Sequence, residues 1–209
     1  MIVNKEEIYS WDSKFRLKFM NSLSGYKGVH LLGSQSKNGA TNLAIFNSIV
    51  HISSEPAQIG FIMRPLSVPR HSYNNILELK DYTLNHVHES FLENAHFTSA
   101  KFPEEQSEFE QCKLTPEYHK NFAAPFVAQS KIKIGLKLIE DITLTTSNCH
   151  LIIGEVQIVK LDKSFIEHDG QLDLEKANNV CVTGLNQYSK VNKSVKIPYA
   201  RINNLPKFK

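Results

Sequence analysis

A chain of 209 residues, 41% hydrophobic and 22% charged, has the composition of one ordinary globular domain spanning 1–209, which excludes disordered and fibrous architectures. The formal charge of +3 rests on scattered lysines without an arginine-rich stripe, so nothing supports nucleic-acid binding. No apolar run reaches the roughly 18 residues of a bilayer span, no charged-then-apolar leader opens the chain, and Cys112, Cys149 and Cys181 lack zinc or disulfide-framework spacing; a cytoplasmic protein without a membrane span is expected.

Gly28 to Gln35 reads as a buried strand, with Lys37-Asn38-Gly39 as a hairpin turn tolerant of positive φ. Thr41 to Ile52 follows with Leu43, Ile45, Ile49 and Ile52 as its apolar positions. Their parity shifts midway, which predicts a bend or bulge at Asn47 and Ser48. Ser54-Glu55-Pro56 turns the chain into a third strand over Ala57 to Met63. Two prolines in Arg64 to Pro69 forbid regular structure, and Ser72 stands where an N-cap belongs before a short helix over 73–79.

Asp81 to His88 alternates as a strand, and Glu89 to Phe97 has helical spacing. Pro103 to Pro125 is mixed and turn-rich. Two long β runs, Lys131 to Thr146 and Leu151 to Leu161, are joined at Ser147-Asn148. A turn at Asp169-Gly170, a helical turn over 172–178 and a last strand over 180–182 follow. Successive hairpins with few helices predict a mainly β barrel rather than βαβ units, and the basic stretch 190–209 reads as a solvated tail.

The Rossmann glycine fingerprint, the P-loop and the Gly-x-Ser-x-Gly elbow are all missing. Cys149 and His150, adjacent on a strand, point to opposite faces and make a poor nucleophile and base pair. His86 and His88 share a face and fit either two metal ligands or two hydrogen-bonded barrel histidines. With no Asp or Cys at ligand spacing, no metal is expected. The stretch Arg64-Pro-Leu-Ser-Val-Pro-Arg70-His71-Ser72 brings two guanidinium groups, an imidazole and a hydroxyl to a helix N-terminus, where free N–H groups and the helix dipole favour an anion. The same residues also fit an ordinary cap with solvated arginines.

The segments Pro69-Arg-His-Ser-Tyr-Asn-Asn-Ile76, Thr83-Leu-Asn-His-Val-His-Glu89, Ala95-His-Phe-Thr-Ser-Ala-Lys-Phe102, Ala124-Pro-Phe-Val127, Ile153-Gly-Glu-Val156, Asp169-Gly-Gln-Leu-Asp-Leu174 and Gly184-Leu-Asn-Gln-Tyr188 run in an order and spacing that resemble the flavin-reductase-like, FMN-binding split-barrel family, in its flavoredoxin-like branch. The resemblance implies a six-stranded antiparallel split β-barrel, a homodimer, and FMN held without a covalent bond near the subunit interface. Carried onto this chain, it puts Arg70, His71 and Ser72 at the FMN phosphate with Arg64 as helper. Asn42, Ala44, Asn47 and Ser48 fall beside the isoalloxazine, and Thr98 and Ser99 in the loop over it. Other branches have Gly-Asp-His where this chain has Asn148-Cys149-His150, so His150 keeps the imidazole without that Asp. Tyr188 matches a tyrosine at the cavity mouth and equally fits the core.

The activity implied is a flavin oxidoreductase with NAD(P)H as co-substrate, passing electrons to flavin, to a partner oxygenase or to a redox protein. Its alternatives are a flavoredoxin-like FMN electron carrier and a flavin-binding protein without turnover. In either case the flavin supplies the chemistry and the protein orients and tunes it.

Overall fold

The computed structural model describes residues 1–103 and 105–206. Two helices that the sequence reading did not anticipate come first, α1 (Lys5–Ser10) and α2 (Ser13–Leu23). Each has an ordinary acceptor cap: Asn4 Oδ1 takes the Glu7 N–H, and Asp12 Oδ1 takes those of Lys14 and Phe15. The expected first strand is divided at Val29 into β1 (Lys27–Gly28) and β2 (His30–Gln35).

The long second run is likewise divided, at the expected bend, into β3 (Thr41–Phe46) and β4 (Ile49–Ser54). Next come β5 (Ala57–Met63), α3 (His71–Leu79), β6 (Asp81–His86), α4 (Leu92–Phe97) and α5 (Glu108–Gln111). The hairpin β7 (Pro116–His119) and β8 (Phe122–Val127) leads to the long pair β9 (Ile132–Leu144) and β10 (Cys149–Leu161), joined by a turn over 145–148. Two short strands, β11 (Val180–Thr183) and β12 (Gln187–Lys190), follow, and a single 3-10 turn, Ile202–Asn204, lies beyond them. Residues 172–178 form turns rather than helix. Among the described residues the tail from Val191 contains no strand, and it is not wholly solvated, because Lys196 pairs with Glu167 and Asp169; Lys207 to Lys209 lie outside the described residues.

The main sheet is antiparallel, in the order β3-β2-β6-β9-β10-β5-β4. It therefore has seven strands where six were expected, because the run through Asn47 and Ser48 supplies one strand to each margin. β1, β11 and β12 make a separate small sheet, so the residues just before β2 leave the barrel. The barrel interior holds Leu32, Phe61, Tyr82, Leu84, Leu136 and Ile152 with Tyr73 and Ile76 of α3. A second core of Leu31, Leu43, Val87, Phe91, Phe109 and Val182 lies on the other side of β2 and β6. The alternation of Leu31 with Leu32 in two cores is what a two-sided strand requires.

β8 crosses the sheet and is pinned by side chains. Thr83 Oγ1 donates to the Pro125 carbonyl at 2.7 Å, and the Val127 N–H donates to Asn85 Oδ1 at 3.0 Å. Asn85 Nδ2 in turn donates to the Leu31 carbonyl and to Thr83 Oγ1. This satisfied network allows polar groups at zero exposure in the core. Gly33 is obligatory beneath it, since a Cβ there would stand 2.3 Å from the Pro125 oxygen. Among the described residues no helix is long and apolar enough to cross a membrane, and all three cysteines are free.

His30 and His86 face each other across β2 and β6 with ring centroids 4.4 Å apart, and Asn179 Nδ2 donates to His86 Nδ1. Burial pushes His86 down to about 4, and burial followed by the neighbouring His86 lowers His30 as well. The unfolded chain then takes up protons below about pH 6.5 while folded His86 stays neutral until about pH 4 and His30 is held neutral in the same sense, so this stability is complete above 6.5 and is lost as pH falls below it. Urea unfolding at pH 7.5, 6 and 5 should show a slope approaching about 1.4 kcal/mol per pH unit for each histidine. His86→Gln should flatten it; an unchanged slope in that variant would remove His86 from the account.

Candidate functional site

The residues expected to bind an anion gather where β5 runs out and α3 begins. The helix starts two residues earlier than the sequence suggests: Arg70, with φ −128° and ψ 90°, is the N-cap, and its side chain makes no capping hydrogen bond. Ser72, expected as the cap, lies in the first turn and is buried, its Oγ accepting from Asn42 Nδ2 at 2.7 Å. The N-terminus of this nine-residue helix is thus left without a side-chain acceptor. Arg70 Nε is buried and has no hydrogen-bond partner among the described residues. Burial and then the like charge of Arg64 lower the Arg70 guanidinium from its ordinary value. Two cations held together, a buried donor without an acceptor and an uncapped helix end have the chemistry of a phosphate site.

An acid stands at the rim. Glu108 of α5 accepts the Leu43 N–H at 2.9 Å, and burial pushes its carboxyl up while that bond and the nearby His71 pull it the other way. Ser107 and Thr41 hydroxyls meet at 2.6 Å beside it. α5 is thereby fastened to β3 next to Asn42, an attachment that sequence reasoning missed because it joins residues 66 positions apart.

The residues expected beside the isoalloxazine divide into two groups. Asn42 and Ala44 share a face of β3 with Phe46, and Asn42 is joined through Ser72 to the start of α3 rather than to the corner. Asn47 and Ser48 form the corner, with Asn47 Nδ2 reaching the Gly184 carbonyl at 3.4 Å and the Ser48 carbonyl taking the Ile62 N–H at 3.0 Å. A cavity of about 410 Å³ opens there, lined by Asn47, Ser48, Ile62, Lys27 and, from the unanticipated α2, Met20 and Asn21.

Thr98 and Ser99 spend their hydroxyls on the Ala95 and His96 carbonyls at the end of α4. They connect to the corner through His96, whose Nδ1 meets the Tyr188 hydroxyl at 2.8 Å, four residues along from Gly184. Tyr188 packs against the second core, so it serves the core and carries a polar handle at once.

The histidines weighed as metal ligands or as a base have partners of their own. His88 Nε2 donates to the Gln129 carbonyl and its Nδ1 accepts from Ser90 Oγ, while β6 ends at His86, so the two rings do not line one strand face. Among the described residues no three His, Cys, Asp or Glu side chains converge as a metal set would. His150 is held by Asp141 of the neighbouring strand, Nδ1 to Oδ1 at 2.8 Å.

Comparison with known proteins places this geometry. The split-barrel protein assigned as a flavin reductase from Shewanella frigidimarina NCIMB 400 is 40% identical, covers 96% of this chain and 100% of its own, and superposes with a TM-score of 0.92. Nitrilotriacetate monooxygenase component B from Bacillus cereus (21% identity, 94% and 98% coverage, TM-score 0.83) and flavoredoxin of Desulfovibrio vulgaris Miyazaki F (22%, 84% and 92%, 0.71) share the fold. Residues 24–172 match the family described as the flavin reductase like domain, and the chain is a member of that split-barrel family.

Proposed function

We propose that the protein binds FMN and transfers electrons from NAD(P)H through it to free flavin or to an acceptor protein. The observation that carries this reading is Arg70: a buried Nε without an acceptor, beside Arg64, at a helix end that no side chain caps. A dianionic phosphate supplies what all three lack. Arg64, Arg70, His71 and Ser72 would hold it, with Asn42 fixing the Ser72 hydroxyl. Asn47 and Ser48, with Ala44 behind them, would lie along the ring, and Thr98 and Ser99 would border it. Bound flavin supplies the hydride and electron chemistry, and these residues set its orientation and polarity.

The cavity at Asn47 and Ser48 continues into apolar outer surface. Val50 and Ile62 line it, and Ile52 and Leu151 meet over Gly60, where an added Cβ would lie 3.1 and 3.2 Å from their ends. Val50, Ile52 and, on β9, Ile142 and Leu144 are exposed. Such a patch on a margin strand calls for cover, and a two-fold pair would place the ring site beside the subunit boundary. The fold shared with a monooxygenase component makes a partner oxygenase the natural acceptor, a redox protein being the other. The uncapped, doubly cationic site serves equally a flavoredoxin-like carrier, and oxidation of NADH or NADPH by the purified protein with FMN separates the two: rapid turnover is expected, and its absence with FMN bound would leave the carrier.

Riboflavin differs from FMN only in lacking the phosphate. Arg70→Ala should weaken FMN binding about tenfold to a hundredfold, from a charge-assisted bond of roughly 1.5–3 kcal/mol, and leave riboflavin affinity nearly unchanged. Equal affinities of parent and variant for both ligands, by fluorescence titration, would move the phosphate elsewhere. Light scattering at micromolar concentration should give twice the chain mass of 23.8 kDa. A monomer that still binds FMN would refute the pairing.

A further inference from the structure

His150 lacks the sequence-adjacent Asp of other branches, yet a carboxylate reaches it from another strand. Asp141 of β9 stands opposite Ile152 in the β9–β10 ladder, and His150 lies two residues from Ile152 on the same face, which is the barrel interior. Asp141 Oδ1 meets His150 Nδ1 at 2.8 Å, and the Tyr73 hydroxyl meets Asp141 Oδ2 at 2.6 Å. The Tyr73 and His150 rings are 5.3 Å apart. Three elements thus close one end of the barrel with a connected polar unit.

The proton positions follow from donor and acceptor inventory. An ionised carboxylate only accepts, so both the imidazole Nδ1 and the tyrosine oxygen must carry their protons toward Asp141. Burial, then the bond to Asp141 and its charge, push the Tyr73 hydroxyl up to about 12, which keeps it a donor throughout the neutral range. Both carboxylate oxygens are engaged, so the carboxylate cannot rotate freely, and the imidazole it holds is fixed in tautomer and in plane. Nε2 makes no hydrogen bond among the described residues, and the His150 side chain keeps 14% of its surface open. His150 pairs in register with Met63, after which Arg64 leaves β5, and Tyr73 is three residues beyond Arg70. The unit therefore sits beside the anion-binding cluster.

We propose that Asp141 and Tyr73 are positioning residues for His150, taking the place of the absent sequence-adjacent Asp: they lock the proton on Nδ1 and present Nε2 at the barrel mouth as an acceptor for a hydroxyl or N–H of the bound flavin or of its nicotinamide reductant. The ligand-facing half of this rests on the FMN reading above. The tautomer half does not, and a purely structural polar plug would have no need of an open Nε2.

The test is a two-bond proton–nitrogen correlation spectrum of histidine-labelled protein at neutral pH, before and after adding FMN and then NADP⁺. The parent should show His150 with a protonated Nδ1 and a bare Nε2, and one of the two additions should shift the Nε2 resonance, which identifies the donor. Asp141→Ala should return His150 to a mixture of tautomers and reduce that shift. Tyr73→Phe, which leaves Asp141 in place and serves if the first variant does not fold, should give a smaller move in the same direction. A parent with its proton on Nε2, or a folded Asp141→Ala or Tyr73→Phe protein with the parent's tautomer, overturns the positioning. If FMN binds and neither ligand shifts Nε2, the ligand-facing half is overturned. Failure to bind FMN at all would instead sink the functional reading, with the tautomer result still deciding this one.

Discussion

The corner at Asn47 and Ser48 determines the architecture. β3 pairs only with β2 and β4 only with β5, at opposite margins of a seven-stranded sheet, although two residues separate them in sequence. A two-residue link can join the margins only if the sheet curls until they meet, so the covalent chain itself enforces the barrel and leaves it split at the corner. Polar residues suit this place. The corner interrupts the ladder, and its backbone and amide groups find partners outside it in Ile62 and Gly184.

That constraint also explains where the site is. A split leaves strand margins and an opening, and the opening is flanked by the corner on one side and by the entrance of α3 on the other. α3 enters without a side-chain cap because the residue at that position is an arginine. A serine or aspartate there would gain roughly 1 kcal/mol of helix stability, yet it would occupy the N–H groups that an anion needs. The fold accepts a weaker helix end and two adjacent guanidinium groups, an arrangement that makes sense electrostatically only with negative charge supplied. Among the described residues Glu108 bonds the Leu43 N–H and forms no ion pair with Arg70.

Much of this was legible from the sequence because it is local. The shift from odd to even in the apolar series Leu43, Ile45, Ile49 and Ile52 signalled a bend in this stretch, the prolines of 64–69 marked the loop, and the alternation in 132–138 marked β9. What failed did so for physical reasons. Ser72 has the residue type of an N-cap, but Asn42, thirty positions away, takes its hydroxyl, and the helix begins at His71. The six-strand count was what the family resemblance implied, whereas the two halves of 41–52 pair with different neighbours and bring the sheet to seven. α1 and α2 carry mostly exposed apolar residues, including Phe15, Leu17 and Met20, so no clean amphipathic stripe announced them.

Asp141 illustrates the limit most directly. Nothing in the spacing of residues 141 and 150 marks a partnership, because in a hairpin the register depends on how many residues the turn consumes. Here the turn spans 145–148, Cys149 faces Leu144, and a register shift lies between Ile153 and Gly154. A turn shorter or longer by one residue would have put the carboxylate on the outer face, away from both His150 and Tyr73. The bulge lies beyond the pair, at Gly154, where an added Cβ would stand 2.2 Å from the Tyr82 oxygen. Hairpin length thus sets which carboxylate reaches the imidazole, so a change in the turn redirects the site without altering any residue in it.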